Sequence, residues 1–186
     1  LPTRRQRQMC IRDRGYSSQL GFEIYLNNSK LGEKLWDTIC LFGKKYNLRP
    51  GAPNLIDRIE AGLLSFGNDM TSENSPLECG FEKYCALSSD IDFIGKAKLK
   101  SEKNIGPKLK LCGIAFGGEA QSACTIPWPI YFNNLKIGEI TSGIYNPSLK
   151  VNTGIALVMT ENLDKFNTVK VKALNSKITE GVICSL

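Results

Sequence analysis

The sequence contains no histidine among its 186 residues. That absence excludes Ser-His-Asp and Cys-His nucleophile systems, and any His-ligated metal site, within this chain. A Cys-x-x-Cys pair is also missing. Of the seven cysteines, Cys79 and Cys85 stand nearest to each other, and they are too far apart for a zinc knuckle. No metal site is therefore expected. Long apolar runs are lacking too: nothing approaches the roughly 18 residues of a membrane-spanning helix. No apolar core of a secretory signal follows the N-terminal charges. Without such a signal the glycosylation triplet Asn27-Asn28-Ser29 carries no meaning. Free, mostly buried thiols in a reducing cytoplasm are the expected state.

Positive charge is in excess. Lysine and arginine number 24 against 18 acidic residues, a net charge of +6. Five arginines crowd into Arg4–Arg14. Such a run reads as an arm for nucleic acid or an anionic membrane, or as a solvated tail with nothing to bury. Back-translation offers a third reading. The eleven residues from Arg4 to Arg14 match an in-frame translation of the first-read adapter of transposase-based sequencing libraries. On that reading Leu1–Arg14 is a non-native scar. Setting it aside leaves 19 basic and 17 acidic residues, a net charge of +2 with no electrostatic case for nucleic acid. The gene product is then expected to be cut at Gly15, with its own N-terminal part missing, leaving 172 residues for one large or two small domains.

In GFEIYL, Phe22, Ile24 and Leu26 alternate with Glu23 and Tyr25, the period of a strand with two faces. Asn27-Asn28-Ser29 supplies turn and cap chemistry. Leu31, Leu35, Ile39, Phe42 and Tyr46 then recur at helical spacing opposite Glu33, Lys34, Asp37 and Lys44. Arg49–Pro53 ends that helix, and Asn54 can cap a second one bearing Leu55, Ile59, Gly62 and Leu63. Asp92 is placed to cap a third, through Ile94 and Leu99. After Gly106-Pro107 the chain turns to short β-rich runs: KLKLCGIAF, IYFNNLKIGEITSG, KVNTGIALV, NTVKVKAL and SKITEGVICSL. Asn133-Asn134 sits where a tight hairpin turn belongs. Trp36 and Trp128 read as packing residues, and Lys165–Lys172 as a solvated strand face. The expected organisation is an α/β segment at 15–107 and a small β-barrel or sandwich at 108–186.

Three blocks carry a family resemblance. GYSSQLGFEIYL resembles the strand motif of the aminomethyltransferase (glycine-cleavage T-protein) family. RIEAGLLSFGNDM with PLECGF resembles its helix-and-loop motif, and IGEITSGIYNPSLKVNTGIALV its C-terminal barrel segment. They follow the family's order across 15–186. Within the family, LGEKLWDTI, LRPGAPNLIDRIEAGLLSFGNDM, ECGFEKY and DIDFIGKAKLK are most similar to the branch that demethylates a sulfonium osmolyte. The resemblance implies an α+β fold, the C-terminal part of a T-protein-like architecture: a partial folate-binding α/β segment, then a small all-β barrel. It implies tetrahydrofolate as cofactor, a small-molecule sulfonium substrate, and transfer of a one-carbon unit to the cofactor's N5. The acidic residue proposed to assist chemistry would lie in the missing N-terminal half, so no catalytic residue is expected in this chain and the piece alone is expected to be inactive.

The site residues follow from the same likeness. Glu23 is the leading one: a carboxylate can accept the ring N–H and amino group of a pteridine as a bidentate pair. Tyr25 shares its strand face and could line the same channel. Tyr16 matches an aromatic position that is tryptophan in the demethylase branch, where it would pack on pterin or sulfonium. Arg58 matches an arginine on the family's central helix near the folate; apart from the motif it would be read as pairing with Asp57 or Glu60. Position 66 is Phe where relatives often carry Tyr. Two other readings stay open: the glycine-cleavage T-protein itself, which needs a lipoyl carrier protein, and a folate-binding accessory protein without transferase activity. A homodimer is also left open.

Overall fold

A computed structural model describes residues 16, 21–22, 24–52, 54–165, 168–174 and 176–186. The chain divides into two compact units, Leu1–Asn54 and Leu55–Leu186.

In the first unit the helical periodicity is realised. Helix α1 spans Gly32–Gly43, entered through a 3-10 turn at Ser29–Leu31 and left through another at Lys44–Tyr46. Asn28 caps the entry, its side-chain oxygen accepting from the Lys30 amide at 3.1 Å. Asn47 ends it in the left-handed conformation at φ 57°, where an Asn is tolerated. The expected strand is not realised: Phe22 and Ile24–Leu26 carry no strand assignment. A strand exists only beside a partner that completes its ladder, and no described residue of this unit forms one. Phe22 and Ile24, expected to face a core, are 78% and 60% exposed. Trp36 is likewise 54% exposed instead of packed.

The second unit is built on a closed antiparallel barrel. Its strands are β1 (Leu109–Phe116), β2 (Trp128–Phe132), β3 (Leu135–Asn146), β4 (Val151–Met159), β5 (Thr168–Val171) and β6 (Thr179–Cys184). They close in the order β1-β4-β3-β2-β5-β6, with β6 returning to β1. Closure leaves no sheet edge to template aggregation. The β2–β3 hairpin turns at Asn133 and Asn134, both with positive φ (48° and 66°), as a two-residue turn between right-twisted strands demands. Inward positions are apolar, including Ile114, Phe116, Trp128, Ile130, Ile140, Val158, Val169 and Val171. Phe116 and Trp128 meet edge to face, their centroids 5.9 Å apart. Trp128 therefore packs in the core, as expected. On β5, Val169 and Val171 point inward while Thr168 and Lys170 face solvent.

Helix α2 (Leu55–Glu60) and the loop after it cover the barrel's outer wall. Ile59, Cys79, Leu111 and Ile155 form a second core there, joined by Leu64, Met70 and Phe81. Helix α3 (Lys96–Ile105) starts later than expected, after Gly95 at φ 90° and not from an Asp92 cap. The turn before it is fixed from within the helix. The buried Lys96 ammonium donates to the carbonyls of Ser89 and Ile91, both at 2.6 Å, so residues 89–95 fold back as a loop and not as a first helical turn.

Candidate functional site

The most constrained polar site of the second unit grows from an irregularity in β3. β3 and β4 run in register to Ile140 opposite Ala156, and the next pair is Ser142 opposite Ile155. Thr141 is thus an extra residue, a β-bulge. In an unbroken strand consecutive side chains point to opposite faces. The bulge cancels that alternation, so the hydroxyls of Thr141 and Ser142 both donate to one oxygen, Oδ1 of Asp69, at 2.7 and 2.6 Å. The other oxygen, Oδ2, accepts from the Ser65 amide at 2.8 Å and from Arg58 Nη1 at 2.6 Å. The same Nη1 donates to the Leu63 carbonyl at 2.8 Å.

Asp69 is 1% exposed and Arg58 5%. With two donors on each oxygen the carboxylate is saturated, and its hydrogen bonds tie the loop to the helix and to the strand. Glu60, two residues from Arg58, is engaged elsewhere: its Oε1 accepts from Asn146 Nδ2 at 2.5 Å. Arg58 therefore pairs with neither Asp57 nor Glu60, and those expectations are corrected. Residues i and i+2, or i−1, do not face each other on a helix, whereas the loop brings Asp69 round to the arginine.

The other expected site residues lie in the first unit. Tyr16 and Tyr25 are 51% and 73% exposed. Glu23 lies outside the described residues. Asp69, Thr141 and Ser142 were not anticipated. The only signal for Asp69 was an acidic residue inside an apolar run, LLSFGNDM, which marks a buried charge in search of a cation.

The second unit also holds an open groove of about 560 Å³ lined by Gly80, Glu82, Lys83, Cys85, Leu87, Ser88 and Lys103. Its Lys103–Glu82 pair, at 2.6 Å, is half exposed on both sides and contributes little. Arg58 is not part of its lining. Cys40, Cys79, Cys85, Cys112, Cys124 and Cys184 are all free. Burial pushes the thiols of Cys79 and Cys184 up, Cys124 to about 11 and Cys112 to about 12. None of these four offers a thiolate nucleophile near neutrality. Among the described residues no group of three acidic or cysteine side chains could hold a metal ion, and no helix is long and apolar enough to cross a membrane.

With this geometry in place, comparison with known proteins gives a consistent answer. Residues 4–89 match the GCVT N-terminal domain family, a match that begins within the arginine-rich run. The chain is 41% identical over 151 residues to "Dimethylsulfoniopropionate demethylase DmdA" of Ruegeria pomeroyi, covering 81% of this chain and 41% of that protein. It is 34% identical over 180 residues to an aminomethyltransferase of Thermoanaerobacter sp. (strain X514), covering 94% and 47%. The crystal structure of the glycine cleavage system aminomethyltransferase T from Bartonella henselae superposes with a TM-score of 0.52 at 20% identity, over 69% of this chain and 36% of that one. The last likeness establishes the fold: α+β, of the glycine-cleavage T-protein kind. Together the matches support the T-protein family as the family of this chain. The chain spans about half the length of the curated relatives it matches.

Proposed function

We propose that the protein acts as a tetrahydrofolate-dependent methyltransferase that demethylates dimethylsulfoniopropionate to methylmercaptopropionate and 5-methyltetrahydrofolate. The observation that carries this reading is the 41% identity to a dimethylsulfoniopropionate demethylase, against 34% to an aminomethyltransferase. The chemistry is a single displacement. Held by Glu23 at its pterin edge, tetrahydrofolate would supply the N5 nucleophile for displacement of a neutral sulfide from the sulfonium methyl, with the N5 proton lost. Such a step asks the protein for alignment and exclusion of water more than for covalent work. Glu23 is the proposed acceptor of the pterin N–H and amino group, with Tyr25 and Tyr16 as aromatic lining. The division into a partial folate-binding segment at 15–107 and a barrel domain at 108–186 is part of the same proposal, as is a cytoplasmic location.

A second reading has its own support. The aminomethyltransferase likeness covers 94% of the chain against 81% for the demethylase. An aminomethyl transfer would then take place on a lipoyl carrier protein. The test is made on a product of the relatives' full length. Appearance of 5-methyltetrahydrofolate from dimethylsulfoniopropionate, abolished by Glu23→Ala in a folded protein, is the expected result. Folate binding without that turnover moves the assignment to aminomethyl transfer or to a binding-only protein.

A further inference from the structure

We propose that the open groove of the second unit is a binding site for a short acidic peptide, a ligand that carries two carboxylates and one ammonium.

Three observations carry it. First, the lining has a charge set that such a ligand complements. It presents two ammonium groups, Lys83 and Lys103, and one carboxylate, Glu82. A simple anion would satisfy the lysines but meet repulsion from Glu82, whereas a peptide with a free amino group satisfies all three. Second, both lysines have unused donors. An ammonium offers three N–H groups. Lys103 holds Glu82 Oε1 at 2.6 Å, and the pair is half exposed on both sides, so it opens readily to a third partner. Lys83 lies 5.1 Å from the Tyr84 ring centroid and pairs with no carboxylate among the described residues. The glutamates nearby in sequence are engaged elsewhere: Glu102 Oε1 accepts from the Ser75 hydroxyl, and Glu78 Oε2 from the Ser75 amide at 3.2 Å and Asn74 Nδ2 at 3.4 Å. Third, the backbone that forms the groove is fixed. Gly80 turns at φ 73°, and the Phe81 amide donates to the Pro76 carbonyl at 2.8 Å. Glu82–Tyr84 is a 3-10 turn closed by the Cys85 amide on the Glu82 carbonyl at 2.9 Å. Leu87 is buried and anchors the segment. Lys103 comes from α3, whose first turn the Lys96 ammonium ties to Ser89 and Ile91.

The groove's volume of about 560 Å³ lies within the roughly 300–1,000 Å³ of small-molecule sites, room for a di- or tripeptide. One carboxylate meets Lys83 and the other Lys103, while the ammonium takes the Glu82 oxygen that Lys103 leaves open. The exposed Ser88 hydroxyl adds a donor that can turn to either carboxylate. Each lysine contact is charge-assisted, and the preset backbone lowers the entropic cost of making it.

The test uses the full-length product with S-methylglutathione as probe, a tripeptide with two carboxylates, one ammonium and no thiol to exchange. Binding is followed by calorimetry and by alkylation of Cys85, whose partly buried side chain belongs to the lining. The probe is expected to bind saturably and to slow iodoacetamide labelling of Cys85 severalfold while leaving Cys40 unchanged. Lys83→Gln and Lys103→Gln should each weaken binding about tenfold, the loss of one charge-assisted hydrogen bond. Acetylating the probe's amino group should weaken binding to the wild type but not to Glu82→Gln. All three side chains are exposed, so these substitutions leave folding intact. Equal affinity for succinate and for the tripeptide would reduce the groove to a general anion site and overturn the peptide assignment. No saturable binding, no protection of Cys85, or unchanged affinity in both lysine variants would overturn the site itself.

Discussion

The Gln121 amide donates to Oδ1 of Asn152 at 2.9 Å, joining a loop with no secondary structure of its own to the start of strand β4. Asn152 is fully buried on β4, and its Nδ2 donates to the carbonyls of Gly117 and Glu119 at 3.2 and 3.1 Å. One side-chain amide thus replaces the strand partner that residues 117–121 lack. Tyr145 of β3 completes the attachment, its amide donating to the Gln121 carbonyl at 3.0 Å. Asn152→Ala removes all three side-chain bonds at once. The expected loss is about 2–3 kcal/mol, the cost of leaving buried amide groups unpaired. Urea unfolding measures it, and faster amide exchange confined to Gln121 and its neighbours would locate it. Asn152→Asp should cost more, because it keeps the acceptor but loses both donors and buries a charge.

Glycine to alanine has opposite signs at two positions. A Cβ on Gly138 would overlap the Leu157 carbonyl oxygen and lie 2.8 Å from the Val158 Cα. Those are backbone atoms of the paired strand β4 and cannot swing aside, so Gly138→Ala should destabilise the barrel by about 1–3 kcal/mol. A Cβ on Gly32 meets nothing within 4 Å, and that residue already has helical angles, φ −58° and ψ −50°. Gly32→Ala should stabilise α1 by about 0.4–1 kcal/mol, mainly by narrowing the unfolded ensemble. Thermal unfolding of the two variants side by side is the check.

Much of the barrel was legible from local signals. Asn133-Asn134 announced its hairpin because only a few residue types accept two consecutive positive φ values. The alternation in Lys165–Lys172 read as a solvated strand face, and β5 presents Thr168 and Lys170 to solvent because the strand period is two. The α1 periodicity likewise needed nothing beyond the local run from Leu31 to Tyr46. The Asp69 cluster was not legible. Its partners lie 11 residues away at Arg58 and 72 and 73 away at Thr141 and Ser142. Only a bulge in β3 lets the last two share a face, and a bulge leaves no mark in hydrophobic alternation. GFEIYL failed for the converse reason: its alternation was real, but a strand is a property of two segments. Glu23, on which the folate proposal leans most, was legible only through its motif.

Thr153 offers a test of the opposite kind. Its Oγ1 is buried with no hydrogen-bond partner among the described residues, and it sits on β4 opposite Ala115 and Ile144. A buried hydroxyl without a partner keeps its desolvation cost uncompensated. Thr153→Val keeps the shape and the β-branched preference of a strand while removing the polar atom. The variant should be more stable by about 1 kcal/mol, seen as a higher urea midpoint at unchanged slope. A loss of stability would mean that the hydroxyl has a partner in solution, such as a bound water.

Alkaline pH should loosen the barrel through Cys112. Burial, with the Cys184 thiol as second cause and Lys110 opposing, pushes the Cys112 thiol from its ordinary 9.0 to about 12. Its Sγ–H points at the Ala156 carbonyl, 3.7 Å away across the β1–β4 ladder. A thiol whose pKa rises on folding is protonated in both states below pH 9, so nothing is lost there. Above it the unfolded chain ionises while the folded one does not, and stability falls until the folded thiol titrates as well. The sign is therefore a decline between about pH 9 and about pH 12, with a ceiling near 1.4 kcal/mol per pH unit from this one group. Unfolding free energies at pH 8 and pH 10.5 should differ more in the wild type than in Cys112→Val, which cannot ionise. Iodoacetamide at pH 8 should leave Cys112 unmodified in the native protein and label it after unfolding, since both the thiolate and the access it requires are absent from the folded barrel.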